Sequence, residues 1–324
     1  MNNIELPARL PIRREEEITA NWISCYENPL VSVCCATYNH EKFIEDAICG
    51  FLAQETNFPF EIIIRDDASD DRTTSIIKKY ANLYPKIIKL VINIENQYKK
   101  GIRPNHIWPD LAKGDYLALC EGDDFWVSKN KLQKQLDILE NNPSAVMSVA
   151  LTKIFHHQNN NMKYLSTTES GSNSLIYFED LKKLYFHTST YFIKKDIFNE
   201  VIKKFFLKET IFGDTALRAI LISYGPFAVI PEVVSIYRVT GNGIWTSLKN
   251  EEKLYWEFQV SKKLSNILKG KHKTEQLAKL REVSKKLLYF SIKSFKLFDS
   301  LKWIFYLFIF RFEFFWQKIL FKNR

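Results

Sequence analysis

Glycine and proline are scarce in this sequence. Only 10 of the 324 residues are Gly and 10 are Pro, whereas 46% are apolar and 26% are charged. These proportions exclude a collagen-like, low-complexity or disordered chain. The length allows one large domain or two modest ones, so we expect a globular protein.

Cysteine is also sparse, and its number is odd. The five residues are Cys25, Cys34, Cys35, Cys49 and Cys120. Three of them lie in apolar runs that predict buried strands, so we expect reduced core side chains in a reducing compartment. The first twenty residues contain no apolar stretch of the kind that a secretory signal needs, which favours a cytoplasmic protein.

Positive charge is in excess only at one end of the chain. Residues 271–324 contain 13 of the 46 Lys and Arg residues and 4 of the 37 Asp and Glu residues, which accounts for the whole net charge of +9. Residues 1–270 are therefore neutral overall. Because a nucleic-acid channel needs clustered Lys and Arg side chains, we expect no nucleic-acid partner.

Apolar runs and helical periodicities alternate along the first part of the chain. The pattern predicts strands at residues 30–36, 60–65, 87–92 and 114–120, and helices at residues 43–52, 73–83 and 131–140. Such an alternation is typical of an α/β protein with a mostly parallel sheet flanked by helices. Ligands of these sheets bind at the carboxyl ends of the strands.

Polar or acidic residues follow three of the predicted strands. They are Thr37, Tyr38 and Asn39, then Asp66 and Asp67, then Glu121 and Asp123. Two carboxylates at i and i+2 around Gly122 suit Mg²⁺ or Mn²⁺, with phosphate oxygens and water as the remaining ligands. Each acidic pair taken alone is explained as well by a solvated turn or a helix cap. The set of three favours a site at one edge of the sheet.

Three sequence blocks resemble the family 2 glycosyltransferases of GT-A fold. They are VSVCCATYN at residues 31–39, IIIRDDASDD at residues 62–71 and GDYLALCEGDDFW at residues 114–126. The resemblance covers about residues 30–245. It implies a nucleotide-sugar part at about 30–130 and an acceptor part at about 131–245. Residues 1–29 would be an N-terminal extension, and residues 246–324 a basic and aromatic, amphipathic helical extension.

The resemblance also implies roles for the polar strand ends. Tyr38 and Asp67 would contact the base of a nucleotide-sugar, with Asp66 nearby, and we assign Thr37 and Asn39 to the same donor site.

The acidic block after the fourth strand resembles the metal-binding DxD element of the family. Asp123 aligns with the residue that binds Mn²⁺ or Mg²⁺ directly. Glu121 stands where the family usually has Asp, and its longer side chain could act through water.

Acceptor contacts are implied for two further residues. Trp126 resembles the aromatic residue that lines the sugar or acceptor pocket, and a core aromatic is the alternative. His187 precedes an apolar run that resembles the strand opposite the active site, and a structural histidine is the alternative.

Asp214 resembles the general base of the inverting enzymes of the family. A carboxylate within hydrogen-bond reach can take the proton of the acceptor hydroxyl as the anomeric carbon is attacked. The metal meanwhile stabilises the departing diphosphate. The alternative is that Asp214 only caps the helix that follows it.

Residues 234–245 resemble the YRxHxGG-W segment of one bacterial branch, which folds over the donor diphosphate. Arg238 would pair with phosphate oxygens. Thr240 and Asn242 stand where that branch has His and Gly.

The end of the chain is rich in aromatic residues. Residues 285–324 hold 14 of the 47 aromatic residues among several lysines, and their longest uncharged run, residues 303–310, has eight residues. A membrane-spanning helix needs about 20. The pattern predicts a helix that lies in the membrane interface, on the cytoplasmic face of the inner membrane. The alternatives are a helical hairpin packed on the catalytic domain and a dimer contact.

Taken together, the resemblance implies a metal-dependent inverting glycosyltransferase. We expect it to move a sugar from a nucleotide-sugar, specifically a UDP-sugar, to a glycan or lipid-linked oligosaccharide acceptor in bacterial surface polysaccharide or lipooligosaccharide biosynthesis. A nucleotidyltransferase is one alternative, but the Gly-rich loop that it needs after the first strand is missing. The departures at Glu121 and Thr240 keep open a non-catalytic, glycosyltransferase-like membrane scaffold.

Overall fold

The structure is a computed structural model that describes most of the chain. It covers residues 6–23, 28–156, 161–164, 174–182, 184–206, 213–240, 248–294 and 297–322, with the backbone alone at residues 182, 206, 297, 311, 312 and 314–322. Cys25 and Asn242 lie outside the described residues. The chain divides into two compact units, Met1–Thr210 with Tyr224–Thr240 and Ile211–Ser223 with Gly241–Arg324.

The first unit contains one large sheet. Its strands are β1 (Val31–Thr37), β2 (Phe60–Asp66), β3 (Ile88–Ile92), β4 (Tyr116–Leu119), β5 (Phe125–Trp126), β6 (Met147–His156), β7 (Asn161–Tyr164), β8 (Ser174–Ile176), β9 (Phe192–Lys194) and β10 (Phe227–Val239). The main order is β3-β2-β1-β4-β9-β6-β10-β5, with β7 paired to β6 and β8 paired to β10. The sheet thus places β1 and β4 side by side in its centre.

Within the described residues, this unit contains six helices. They are α1 (Glu15–Thr19), α2 (Ile44–Leu52), α3 (Thr73–Leu83), α4 (Trp108–Leu111), α5 (Lys131–Glu140) and α6 (Lys195–Val201). Short 3-10 turns lie at Pro104–His106, Phe178–Lys182 and Thr188–Thr190, and a π-helical turn at Ile202–Phe206.

The sheet is mixed but mostly parallel, as the sequence predicts. The four strands β3, β2, β1 and β4 are all parallel to one another, and β6 is parallel to β10. Strand β9 is antiparallel to β4 and β6, and β5 is antiparallel to β10. Strands β1 and β2 are buried along nearly their whole length, because helices cover both faces of a parallel sheet. This explains their almost continuous apolar sequence.

The N-terminal segment is built into the first unit. Ile18 of α1 is buried in the main core, and Trp22 packs edge-on against Phe60 with ring centroids 5.6 Å apart. The Glu15 carboxylate accepts hydrogen bonds from the backbone N–H groups of Lys86 and Ile87, at 2.7 and 3.2 Å. Glu15, Ile18 and Trp22 of the predicted extension are therefore packed into the first unit.

The second unit is helical. It contains α7 (Asp214–Leu221), α8 (Asn250–Ile267), α9 (Gly270–Lys293) and α10 (Leu297–Lys322). Helices α8, α9 and α10 share an apolar core that includes Phe258, Leu277, Leu280, Trp303 and Phe310. Within the described residues, no helix is both long enough and apolar enough to span a bilayer.

The cysteines that the structure describes are free and buried. They are Cys34, Cys35, Cys49 and Cys120. Burial raises the pKa of each of these thiols, so they are inert core side chains rather than nucleophiles.

Candidate active site

The carboxyl ends of the central strands meet at one edge of the sheet. Thr37 at the end of β1 is in register with Asp66 at the end of β2, which is in register with Ile92 of β3. On the other side of β1, the Gly122 N–H donates to the carbonyl oxygen of Ala36 at 2.9 Å. The three polar strand ends found in the sequence are therefore neighbours in space.

The loop after β1 is held by the loop after β2. Asn39 has a left-handed backbone, with φ of 56°, and its N–H donates to the Ser69 hydroxyl at 2.9 Å. Its own side-chain carbonyl accepts the N–H of Asp70 at 3.0 Å. Tyr38, which precedes this anchored residue, keeps 37% of its surface exposed, so its ring is available to a ligand.

Asp66 and Asp67 are both buried and hold backbone in place. Asp66 accepts the Ser69 N–H at 3.1 Å and the hydroxyl of Thr74. Asp67 accepts the Arg65 guanidinium at 2.9 Å, and it also accepts the backbone N–H groups of Gln97 and Tyr98 at 3.0 and 2.9 Å. Asp67 therefore ties the segment after β3 to this edge.

That segment contains residues which sequence reasoning missed. The guanidinium of Arg103 lies 3.7 Å from the centre of the Tyr98 ring, and the Asn93 amide donates to Asp67 at 2.7 Å. The only signal in the sequence was a polar stretch at residues 93–103 after the third strand. Its connection to Asp67 requires the register of β2 and β3.

The acidic loop after β4 presents one partly exposed carboxylate. The side chain of Asp123 is 26% exposed, and its Oδ2 lies 3.8 Å from His40 Nε2. Gly122 lets this loop lie close to β1, because a Cβ there would lie 2.7 Å from the hydroxyl oxygen of Thr37. Glu121 begins the same turn, where its carbonyl oxygen accepts the N–H of Asp124 at 3.2 Å.

No protein cage for a metal ion is found here. Within the described residues, no three His, Cys, Asp or Glu side chains are grouped to hold one. The chemistry of the donor set still fits a shared ion, because a carboxylate such as that of Asp123 suits Mn²⁺ or Mg²⁺ when phosphate oxygens supply the other ligands.

Arg238 of β10 lies in the protein interior and anchors the acidic loop by hydrogen bonds. Its Nη1 donates to the Asp123 carbonyl oxygen at 3.0 Å, and its Nη2 donates to the carboxylate of Asp46. Its backbone N–H donates to Asp124 Oδ1 at 2.9 Å. The side chain is buried, so its guanidinium faces protein groups, and its pairing with phosphate stays a prediction.

His187 belongs to a buried polar network behind the acidic loop. Its Nδ1 lies 3.4 Å from Asp124 Oδ2 and accepts the Ser189 N–H at 3.3 Å. Burial lowers the pKa of His187 to about 3 and raises the pKa of Asp124. The imidazole is therefore neutral near pH 7 and acts as an acceptor at Nδ1.

The aromatic residue nearest to this network was not singled out from the sequence. The Tyr237 ring stacks on the His187 ring, with centroids 4.2 Å apart and planes at 21°. Tyr237 is only half-buried, and nearby Asp124 and Asp123 add to burial in raising the pKa of its hydroxyl. It lies within the YR pair of the segment that the sequence analysis identified.

Trp126 has the position of a core aromatic, which was the alternative interpretation. Its indole N–H donates to the Ser189 carbonyl oxygen at 2.9 Å, and its ring packs edge-on against Phe51 at 4.7 Å. The buried amine of Lys131 lies 4.0 Å from the ring centre. Any contact of Trp126 with an acceptor stays a prediction.

Asp214 lies in the second unit, as the first residue of α7. The N-cap position is occupied by Gly213, which packs against Trp256. Asp214 is therefore not the cap, although an acidic residue in the first turn is favoured by the helix dipole.

The fold and this edge define an α/β protein of the kind that binds nucleotides at the ends of parallel strands. The profile of Glycosyl transferase family 2 matches residues 32–202. That is more than half of the chain, so the protein belongs to family 2 of the glycosyltransferases.

Relatives in sequence include proteins of several bacteria. An uncharacterized protein of Mycobacterium tuberculosis is 29% identical over 239 residues, which cover 70% of this chain and 64% of the relative. The chain thus spans less than two thirds of that protein. WfaP of Escherichia coli, a UDP-Glc:alpha-D-GlcNAc-diphosphoundecaprenol beta-1,3-glucosyltransferase, is 36% identical over 112 residues, 34% of this chain and 41% of WfaP.

Solved structures show the same fold. TarS of Staphylococcus aureus in complex with UDP-GlcNAc has a TM-score of 0.60 at 19% identity, over 86% of this chain and 80% of TarS. The mannosyltransferase PcManGT of Pyrobaculum calidifontis in complex with GDP-Man and Mn²⁺ has a TM-score of 0.51 at 16% identity, over 91% of this chain and 85% of PcManGT. The fold is thus that of the GT-A glycosyltransferases.

Proposed function

We propose that this protein transfers a sugar from a UDP-sugar to a glycan or lipid-linked oligosaccharide acceptor in bacterial surface polysaccharide synthesis. The observation that carries the proposal is the meeting of Tyr38, Asp66 and Asp123 at one edge of the sheet. The printed activity of WfaP and the UDP-GlcNAc bound to TarS support a UDP-sugar and a lipid-linked acceptor.

The donor base would bind at the ends of β1 and β2. The exposed ring of Tyr38 offers a surface for it, and Thr37 and Asn39 shape the same loop. The carboxylates of Asp66 and Asp67 already accept hydrogen bonds from backbone N–H and hydroxyl groups of the protein. In the proposal, their contribution is mainly to hold the rim of the donor site.

The diphosphate would bind beside the acidic loop with a divalent cation. Asp123 would hold the ion and Glu121 would support it, while phosphate oxygens complete the coordination. When bound, the ion would neutralise charge that develops on the leaving diphosphate. The Mn²⁺ in PcManGT supports this assignment.

Asp214 is our proposed general base, by resemblance to the inverting enzymes. Its carboxylate would accept the proton of the acceptor hydroxyl as the new glycosidic bond forms and the bond to the diphosphate breaks. His187 and Trp126 are buried, so they would affect acceptor binding indirectly. They would do so by supporting Tyr237 and the acidic loop.

Membrane association is the last part of the proposal. A lipid-linked acceptor lies at a membrane surface, and the basic, aromatic C-terminal region would hold the enzyme there, on the cytoplasmic face of the inner membrane.

The test is a donor screen with purified protein. The released nucleotide is identified by mass spectrometry. We expect Mn²⁺-dependent hydrolysis or transfer with one UDP-sugar, and none with GDP- or CDP-sugars. NMR of the first-formed product should show inversion at the anomeric carbon. Folded protein that neither binds nor turns over any nucleotide-sugar would instead support the scaffold alternative.

A further inference from the structure

Helix α10 carries apolar side chains on two opposite faces. One face packs into the three-helix core of the second unit, where Trp303 and Phe310 are buried against Phe258. Trp303 is only 4% exposed. These residues account for the attachment of α10 to α8 and α9.

The other face is exposed. We call it the α10 stripe, and its members are Phe298, Leu301, Ile304, Phe305 and Phe308. Phe298 is 88% exposed and Phe308 is 72% exposed. The spacings of three and four residues place the stripe on roughly 120° of the helix surface, away from Trp303 and Phe310.

An exposed stripe of this kind is unusual in a monomer. Five large apolar side chains in one row form a contiguous patch, and patches of this size mark interaction surfaces. The packed face already supplies the stability of the bundle, so the stripe has no role in holding α10 in place. It is therefore available to a partner.

The charged side chains near the stripe favour an anionic partner. Among the described residues between 285 and 310, the charged side chains are Lys285, Lys286, Lys293 and Lys302 against Asp299. The Ser300 hydroxyl donates to Ser291 at 3.0 Å, which brings the start of the stripe beside exposed Ile292 and Lys293 of α9. A second copy would bring the same positive charge to the contact, whereas an anionic bilayer complements it.

We propose that the α10 stripe inserts into the interfacial region of an anionic bilayer, with the exposed lysines of α9 and α10 outside the stripe at the level of the headgroups. The proposal rests on the membrane association stated under Proposed function and specifies the residues that perform it. Trp303 and Phe310, which sequence alone would assign to the membrane, instead anchor the helix to the protein.

The test is flotation of the full chain with vesicles. One set contains phosphatidylglycerol and phosphatidylcholine, and the other contains phosphatidylcholine alone. We expect binding to the anionic vesicles, and at least about tenfold weaker binding of the double variant Phe305→Ser with Phe308→Ser, because two inserted rings are lost. The matched control is Leu83→Ser with Tyr177→Ser, which removes two exposed apolar side chains from the first unit and should bind as the parent does.

Three results would overturn the proposal. They are equal binding by the stripe variant and the parent, no binding of the parent to anionic vesicles, and a parent dimer in sedimentation that the stripe variant converts to monomer. Donor hydrolysis in vesicle-free buffer separates this question from the proposed reaction, because the stripe variant should keep the parental rate. Loss of hydrolysis in every protein would instead refute the proposed function.

Discussion

Two pairs of neighbouring aspartates end two strands of the same sheet, and their surroundings differ. After β2, Asp66 and Asp67 are both buried, and their oxygens accept hydrogen bonds from the surrounding loops. After β4, Asp124 is buried against Arg238 and His187, whereas the side chain of Asp123 remains 26% exposed. The same dipeptide thus shapes a loop at one strand end and offers an open carboxylate at the other.

The difference arises from what lies beneath each pair. Arg65 is buried and directs its guanidinium to Asp67, so this carboxylate is committed before any ligand binds. Beneath the second pair, Arg238 donates to the carbonyl oxygen of Asp123 and leaves its carboxylate free to face outward. An acidic pair in a sequence therefore does not show which member contacts a ligand.

The largest expected effect is on the open carboxylate. Asp123→Asn should reduce transfer or donor hydrolysis at least about 100-fold, because the charge that would face the metal and diphosphate is removed. The free energy of unfolding should change by no more than about 0.5 kcal/mol, since the carboxylate is partly exposed and its contact with His40 Nε2 is long, at 3.8 Å. Urea unfolding and a steady-state assay measure both quantities.

The matched control for this variant is Asp70→Asn, which changes an exposed acid of the β2 loop. It should keep parental activity and stability. Equal loss of activity in both variants would mean that Asp123 has no special role.

The reverse pattern is expected for Asp67. Asp67→Ala should lower the free energy of unfolding by about 3 to 5 kcal/mol, because the buried Arg65 charge loses its partner. In an Arg65→Met background the same change should cost less, because only the hydrogen bonds from Asn93, Gln97 and Tyr98 are then lost. A double-mutant cycle in urea therefore isolates the ion pair. A purely additive cycle would show that the ion pair does not hold this loop.

Gly122 tests how tightly the acidic loop is held against β1. Gly122→Ala should destabilise the protein by about 1 to 3 kcal/mol, because the new Cβ would meet the Thr37 side chain at less than 3 Å. Thermal unfolding measures the loss. Thr37→Ala should restore part of it, because the hydroxyl is removed while Thr37 Cβ and Ile44 Cδ1, each 2.9 Å from the new Cβ, remain. No recovery in the double variant would contradict a clash with the hydroxyl.

The last expected effect is a change in pH dependence at Asp124. Burial raises its pKa above the unfolded value, so the native state binds more protons there and this residue lowers stability as pH rises above about 4. His187, with a pKa of about 3 in the native state, acts in the opposite direction between about 3 and 6.5.

Asp124→Asn removes the first of these two effects and leaves the second. The stability of the variant relative to the parent should therefore rise with pH, by at most about 1.4 kcal/mol per pH unit. Urea unfolding at several pH values between 4.5 and 7.5 measures this slope, with His187→Gln as a comparison that should shift it in the opposite sense. A constant difference across this range would contradict the assigned environment of Asp124.

Much of the fold was predictable from local pattern. Helices α3 and α5 begin and end at the residues that apolar periodicity indicated, and the mostly parallel sheet followed from the alternation of strands and helices. These features depend on spacing within a segment, which a sequence displays directly.

The partners of individual side chains were not predictable. The guanidinium of Arg238 donates to Asp46 and to the acidic loop, 192 and 115 residues away in sequence, while its pairing with phosphate stays a prediction. The same holds for two other site residues. The Trp126 indole donates to the Ser189 carbonyl oxygen, and the His187 ring stacks on the Tyr237 ring. Spacing within a motif contains no information about such long-range contacts.

The central claim is that the sheet edge binds a nucleoside diphosphate through a divalent cation that the open carboxylate of Asp123 would hold. Calorimetric titration of UDP into the protein, with Mn²⁺ and then with EDTA, tests it most directly when the parent and Asp123→Asn are measured side by side. The account predicts binding by the parent that EDTA abolishes, and no Mn²⁺-dependent binding by the folded variant. Equal UDP affinity in the two proteins, or binding by the parent that is indifferent to EDTA, would contradict it.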